Sequence, residues 1–599
     1  MKKLIKSICI MLSLLLVSAT AISCGGKKVE DFDNSSTLLI TIYDGGYGTS
    51  WASTAAEAFN AAHSDSKYEI KIKPEKLDTP TMIKYIESGM NINRGECAYF
   101  IGLGDPTPGI RKGLFADLTD VLLMKPDGNN VTIKDKVLNF DAWKAVVSGE
   151  NGNGCYALPY ADSTMGFIFN YDRFVEKGYL KFADANSAEV KAELTAQGIE
   201  YEIENNRIYF KSYSGDYLFF NYEEGDVITD CGRDGIYGSY DDGQPDTIEE
   251  WNTMVDTIYY DNVNPFIFSG TYSYSYSVSA FESIFADIAG VENFETFYTM
   301  DSKGKEVELI DGRKVVITPD NGYEVYKIKG ISEALEFLYK YMNVDTAREK
   351  NYLHPVAYLE SGYSHKQTQS SYLYAQATGG TETNPESAIL YDGSWWENEA
   401  SPQFDTLAKS GYPEYSFGSQ DFRPLLYPKY EGSSSEKSVL ATYGACGMYV
   451  PYKIHNDPTE NTARISFVKE FIAYVLSNDV LKAFTLETGN IQPYAYTIDE
   501  SEFKNMSKYA LSNWAMYSDS KNIEIIRPQI FELNRPKKVK AENFYSFYLV
   551  LDSYTGSGEG QFLNMINLLQ SDYPNGSFIP VVIDKMYTYA QASWDKYRN

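Results

Sequence analysis

The chain has 599 residues, of which 82 are acidic and 53 basic, for a formal charge of −29 at neutral pH. That charge repels a phosphate backbone and excludes nucleic acid as a natural partner, while the length exceeds what one hydrophobic core holds, so two large domains or more are expected. Tyrosine is the outlier at 51 copies; its flat apolar face and polar tip suit wet, partly apolar ligands, although many copies must serve packing.

The chain opens with Lys2, Lys3 and Lys6, an apolar run over residues 8 to 17, and Ala21-Ile22-Ser23-Cys24 followed by two glycines. Basic, apolar and small segments in that order make a secretory signal. Small and aliphatic residues directly before a cysteine make a bacterial lipobox, so Cys24 is expected to carry diacylglycerol and to become the mature N-terminus. The apolar stretch is short against the ~20 residues of a spanning helix, and several acyl chains anchor durably where one does not. Loss of Lys2, Lys3 and Lys6 with the signal takes the charge from −29 to −32. Residues 24–36 read as a polar, lipid-anchored tether, with the folded body starting near Thr37 on the outer face of a bacterial cytoplasmic membrane.

The body begins with the strand LLITIY, a glycine-rich turn DGGYGTS, and WASTAAEAFNAAH, in which Trp51, Ala55, Ala58, Phe59 and Ala62 share one helical face. Thr49 or Ser50 can cap that helix, whose first free amides favour oxygen-rich groups in the turn. A second strand, YEIKIKP, leads to Thr79-Pro80 as cap and first-turn proline of a helix, and CAYFIGLG reads as a third strand. Strands alternating with helices predict a mostly parallel sheet, and ligands of such sheets bind outside the carboxyl ends of the strands. Those ends lie at residues 43 to 48 and 104 to 108, which brings Tyr43, Asp44, Tyr47, Trp51 and Asp105 forward.

CYALPYADSTMGFIFNYDRF follows, a strand broken by Pro159 and then a second strand, as suits a crossing between domains. Residues 190–246 interrupt the alternation with the strand-like pieces IEYEI, NRIYFKS and YLFFNY and an acidic glycine-rich loop, and residues 299–328 read as hairpin-like; both are taken as β-rich insertions. Helices are predicted at residues 248 to 258 (capped by Thr247), 281 to 288, 331 to 342 and 466 to 476. GTYSYSYSVSAF reads either as an alternating strand or as a tyrosine-rich cleft loop.

In the acidic loop, Asp230, Asp234, Asp241 and Asp242 supply oxygens that calcium could use, or form a solvated turn with an aspartate cap; the 1, 3, 5 spacing and closing Glu of an EF-hand are missing. Cys97, Cys155, Cys231 and Cys446 lack CxxC spacing and nearby histidines, which speaks against zinc, and sequence does not choose between disulfides and buried thiols. No cofactor is called for. The four histidines form no HExxH and the chain has no GxSxG elbow or P-loop.

An ordered set of segments resembles the extracellular solute-binding proteins of carbohydrate ABC importers: ITIYDGGYG, GLFADLTDVL, YALPYADSTMGFIFNYDRF, PDTIEEWNTMVDTI, AILYDGSWWENEA, and RPLLYPKYEG through SVLATYGACGMYVPYKI. The resemblance implies a two-lobed α/β, type II periplasmic-binding-protein-like fold with the ligand in the cleft. Lobe 1 would comprise residues 37–157 plus 448–505, and lobe 2 residues 158–447 plus 506–599, with crossings near 158–161, 444–447 and after Gln492. It implies a monomeric, non-enzymatic receptor that passes a carbohydrate, an oligosaccharide by preference, to a membrane permease. A glycoside hydrolase and a surface glycan binder without a permease are the alternatives.

Sugar hydroxyls need fixed donors and acceptors, and their CH faces want flat apolar partners. Tyr160 and Asp162 fall at the implied crossing and face the cleft in the family's pattern. Gly393-Ser394-Trp395-Trp396-Glu397 resembles the segment that brings an aromatic platform to the sugar. Neighbours on an extended segment point oppositely, so one tryptophan is expected in the cleft and the other in the core.

Overall fold

The computed structural model describes residues 36–102, 104–149, 152–214, 222–342, 352–354, 363–443, 446–533 and 578–597. Cys24, the signal, the tether to residue 35 and most of YLFFNY lie outside them.

Fifteen strands are described, in chain order β1 (Thr37–Tyr43), β2 (Glu69–Glu75), β3 (Glu96–Ile101), β4 (Leu158–Pro159), β5 (Met165–Asn170), β6 (Ile199–Glu204), β7 (Arg207–Tyr213), β8 (Asn264–Phe268), β9 (Glu306–Glu308), β10 (Lys314–Val316), β11 (Ser387–Gly393), β12 (Phe422–Leu425), β13 (Ser438–Ala441), β14 (Gly447–Tyr449) and β15 (Ile523–Ile526). They build two separate principal sheets, of order β2-β1-β3-β14-β4 and β12-β5-β11-β8. Each sheet has its own hydrophobic core, one drawn from residues 38 to 161 and 448 to 494 with Ile530, the other mainly from 165 to 441 and 498 to 526. The fold is two-lobed α/β.

In lobe 1, β1 runs parallel to β2 and β3, and β14 is antiparallel to β3 and β4. All six residues of β3 are buried, the mark of a central strand covered on both faces. Glu96 tolerates that position because Lys73 (2.6 Å), Arg94 (2.8 Å) and the Tyr99 hydroxyl (2.7 Å) all donate to it. The helix Ser50–Ala62 lays Trp51, Ala52, Ala55, Ala56 and Phe59 on the sheet. Neither Thr49 nor Ser50 caps it through a side chain accepting a bond. Glu487 does so instead: its Oε1 accepts from the Trp51 amide at 3.0 Å and from the Ser50 hydroxyl, placing an anion at the positive end of the helix dipole. At the helix Thr79–Glu87 the cap is Asp78, which accepts from the Thr81 amide, with Pro80 in the first turn.

In lobe 2, β11 pairs parallel with β8 and antiparallel with β5, and all seven of its residues are buried. GTYSYSYSVSAF is neither strand nor loop; it opens the helix Ser273–Ala289. The tyrosines alternate, but the buried set Tyr276, Ala280, Phe281, Ile284, Phe285 and Ile288 recurs at helical spacing and decides the element. Thr247 caps the helix Ile248–Tyr260 in a capping box with Glu250.

The hairpin β6–β7 builds a satellite core with Leu194, Ile228 and Tyr237. The acidic loop closes over it through its own aspartates. Asp242 accepts from the Gly238 amide (2.7 Å) and the Tyr222 hydroxyl (2.5 Å), and Asp241 from the Arg233 amide and the Ser239 hydroxyl (both 2.8 Å). Asp230 and Asp234 each accept an amide two residues on. Burial lifts the Asp242 carboxyl to about 7. Among the described residues no group of three or more His, Cys, Asp or Glu is arranged to hold a metal ion. After the hairpin β9–β10, the segment Gly322–Lys327 packs against the helix Phe578–Tyr597, whose Trp594 donates to the Pro319 carbonyl. Cys97, Cys155, Cys231 and Cys446 are unpaired thiols, and no described helix is long and apolar enough to cross a membrane.

Candidate ligand-binding site

Three stretches of chain pass side by side between the lobes. The Tyr160 amide donates to the Cys446 carbonyl (3.0 Å), Asp162 to Ile491 (3.2 Å) and Tyr443 to Ser163 (2.7 Å), and the Tyr494 hydroxyl closes on the Pro159 carbonyl (2.7 Å). These crossings form the floor of a cleft whose walls are the carboxyl ends of β1 and β3 on one side and of β11 on the other.

The residues expected at the site divide three ways. Tyr43 is half-buried, and burial, then the charges of Glu399, Tyr272, Cys446 and Tyr443, push its phenol up. Asp44 and Asp105 are exposed, Asp105 holding the Thr107 amide in a tight turn. Trp395 is part-buried and packs against the cores of both lobes.

Tyr47, Trp51 and Tyr160 form the packed base of the lobe 1 wall. Trp51 and Tyr160 stack at 6.0 Å with 2 % and 1 % of their surface exposed, and Phe484 closes on Trp51 edge-on at 5.1 Å. The indole nitrogen of Trp51 and the Tyr160 hydroxyl are buried without a protein partner. The third group leaves the cleft. The Asp162 carboxylate turns to Arg527, in an ion pair among Leu138, Trp143 and Pro159 behind the crossings. Trp396 is fully buried among Phe404, Phe422 and Tyr509. Glu397 bonds Ser507, and burial raises its carboxyl to about 7. The reversal between Trp395 and Trp396 follows from neighbouring positions at the start of the short helix Trp396–Glu399, which project to different sides.

Trp395 owes its place to two glycines. Its ring lies over Gly393 and against Gly46 of the lobe 1 turn, so a Cβ at either position would collide with it. Tyr47 meets the ring edge-on at 6.0 Å, and the Asn398 side-chain amide donates to the Gly46 carbonyl at 2.7 Å, joining the walls.

From Trp395 runs a line of rings, of which sequence reading left Tyr272 and Tyr276 undecided between a strand and a cleft loop and did not nominate the others: Tyr443 at 5.6 Å, then Tyr276 at 6.2 Å, Tyr272 at 6.2 Å and His365 at 5.4 Å from centroid to centroid. Beneath them is a polar network. Gln369 donates to Asp392 (3.0 Å) and Glu399 (2.9 Å), the Tyr276 hydroxyl donates to Asp392 (3.2 Å), and His365 lies 3.2 Å from Glu399. Burial and then the Glu399 charge lift Asp392 to about 7. Burial acts the same way on Glu399, but His365 and Gln369 together outweigh it and hold that carboxyl below its usual value. The signals were present in GTYSYSYS and in WENEA, yet only the helix geometry brings them together.

Neither known family models nor curated proteins contain a match to the sequence. Among solved structures, a chitin oligosaccharide-binding protein is similar with a TM-score of 0.50 and 14 % identity, over 94 % of this chain and all of that one. A probable secreted solute-binding lipoprotein from Streptomyces coelicolor gives 0.49 and 11 % identity over 93 % and 99 % of the two chains. RafE from Streptococcus pneumoniae gives 0.45 and 13 % over 93 % and 97 %. The chain therefore shares the fold of the chitin oligosaccharide-binding protein.

Proposed function

We propose that this protein is the carbohydrate-capturing receptor of an ABC importer, anchored by a lipid on Cys24 and holding an oligosaccharide between its lobes as a monomer. The observation that carries the reading is the Trp395 platform, held flat by Gly393 and Gly46, with Tyr443 beside it and the exposed Tyr272 further along the same wall, linked through the buried Tyr276. Flat apolar faces with buried acceptors beside them are what stacked sugar rings and their hydroxyls require. The similar chitin oligosaccharide-binding protein supports the same class of ligand.

The carboxyl pair Asp392 and Glu399 resembles a hydrolase pair in one respect, since their environments drive their proton affinities apart. Asp392, however, is 1 % exposed, with one oxygen taken by Tyr276 and the Gly393 amide and the other by Gln369. It has no approach to a glycosidic oxygen, which supports capture over cleavage. Ligand would stabilise the closed arrangement of the lobes by binding it better than the open one, and the closed receptor would then dock on its permease.

Calorimetry of the mature protein against raffinose, xylo-oligosaccharides and chito-oligosaccharides, with chromatography of the sugar afterwards, tests this. Saturable binding with the sugar recovered intact is expected; shortened sugar, or no binding across the panel, would overturn it. For the anchor, Cys24→Ala is expected to abolish metabolic palmitate labelling and release the protein to the medium.

A further inference from the structure

Lobe 2 presents more to the cleft than a stacking platform. Tyr272, 42 % exposed, marks the outer end of the aromatic line, and beside it His365 and Glu399 come from two different elements, the first turn of the helix His365–Thr378 and the end of the helix Trp396–Glu399. Four groups position Glu399. His365 sits against Oε1, the Gln369 amide holds Oε2, Gln369 is itself pinned by Asp392, and Asp392 by the Tyr276 hydroxyl. A carboxylate offers about four lone-pair sites, and these contacts use two of them. On lobe 1, the phenol of Tyr43 at the end of the first strand is pushed up by burial and then by the nearby charges of Glu399 and Tyr272.

We infer that the cleft contains an outer subsite, formed by Tyr272, His365 and Glu399, which takes a sugar unit beyond the one stacked on Trp395 and binds it through two hydroxyl donors. This rests on the carbohydrate reading above and deepens it. The outer unit lies over Tyr272, with two of its hydroxyls donating to the two free lone-pair sites of Glu399. Asp392 and Gln369 act as positioning residues for Glu399. Between Trp395 and Tyr272 lie two further rings, Tyr443 and Tyr276, in contact steps of 5.6 to 6.2 Å, so the two ends are different places on the wall.

The test is a length series by calorimetry, the dimer to the hexamer of xylo- and of chito-oligosaccharides, on the wild type, Tyr272→Ala and Glu399→Gln. Affinity of the wild type is expected to rise with length over at least two steps. Both variants should compress the ratio of hexamer to dimer affinity, by about ten-fold, the equivalent of roughly 1.4 kcal/mol. Tyr272 is exposed and Glu399→Gln keeps the side-chain shape, so neither is expected to unfold the protein, and thermal unfolding of each checks it. A length-independent wild type, or variants that weaken every length equally, would overturn the outer subsite while leaving sugar capture standing. No binding of any sugar would overturn both.

Discussion

The two walls of the cleft are built on different plans. Lobe 1 offers a glycine-rich turn, the exposed carboxylates Asp44 and Asp105 and a single half-buried tyrosine, backed by the packed rings of Tyr47, Trp51 and Tyr160. Lobe 2 offers a line of rings whose carboxylates are each held by two or more partners. Groups that are ordered before a ligand arrives lose less entropy on binding than solvated ones. Affinity should therefore concentrate on lobe 2, and lobe 1 should act mainly as the cover that closes over the sugar.

The largest effect tests the backing of the lobe 2 wall. Trp396→Ala leaves a void among Phe404, Phe422 and Tyr509 and is expected to cost about 3 to 5 kcal/mol of stability, read by chemical denaturation. Sugar binding at temperatures where the variant stays folded should change far less; an affinity collapse without destabilisation would mean that Trp396 touches the ligand.

Next in size is Glu397, whose buried carboxyl titrates at about 7. A folded-state value raised from 4.5 makes the stabilising contribution complete below about pH 4.5 and lost as pH rises towards 7, at up to about 1.4 kcal/mol per pH unit. Glu397→Gln is expected to match the wild type at pH 4.5 and to exceed it at pH 8 by on the order of 2 to 3 kcal/mol, measured by urea unfolding at both pH values. Equal pH dependence in the two proteins would contradict the assigned burial.

Lobe 1 was legible in sequence because each of its elements is local: strand, turn and helix follow one another, and the apolar spacing of Trp51, Ala55 and Phe59 states the buried face. What sequence concealed was set by distant partners. Asp162 lies 365 positions from Arg527, Glu487 reaches the helix at Trp51 from 436 positions away, and no local pattern announces either pair. The choice between Trp395 and Trp396 depended on how β11 ends and a short helix begins. The outer tyrosines were obscured by a strand-like alternation, which the buried helical spacing of Tyr276, Ala280 and Ile284 overrides. Chemistry-bearing residues on lobe 1 could thus be nominated from strand ends alone, whereas those on lobe 2 needed three elements brought together.

The difference between the walls is measured most directly by titrating Trp395→Ala and Asp44→Asn side by side against the tightest-binding sugar of the panel. Truncating an aromatic anchor that packs against its ligand costs about 2 kcal/mol or more, so Trp395→Ala should lose about 30-fold in affinity. Asp44 is exposed, and an exposed polar contact is worth on the order of 0.5 to 1 kcal/mol, so Asp44→Asn should lose no more than about five-fold. A larger loss at Asp44 than at Trp395 would contradict the assignment of affinity to lobe 2.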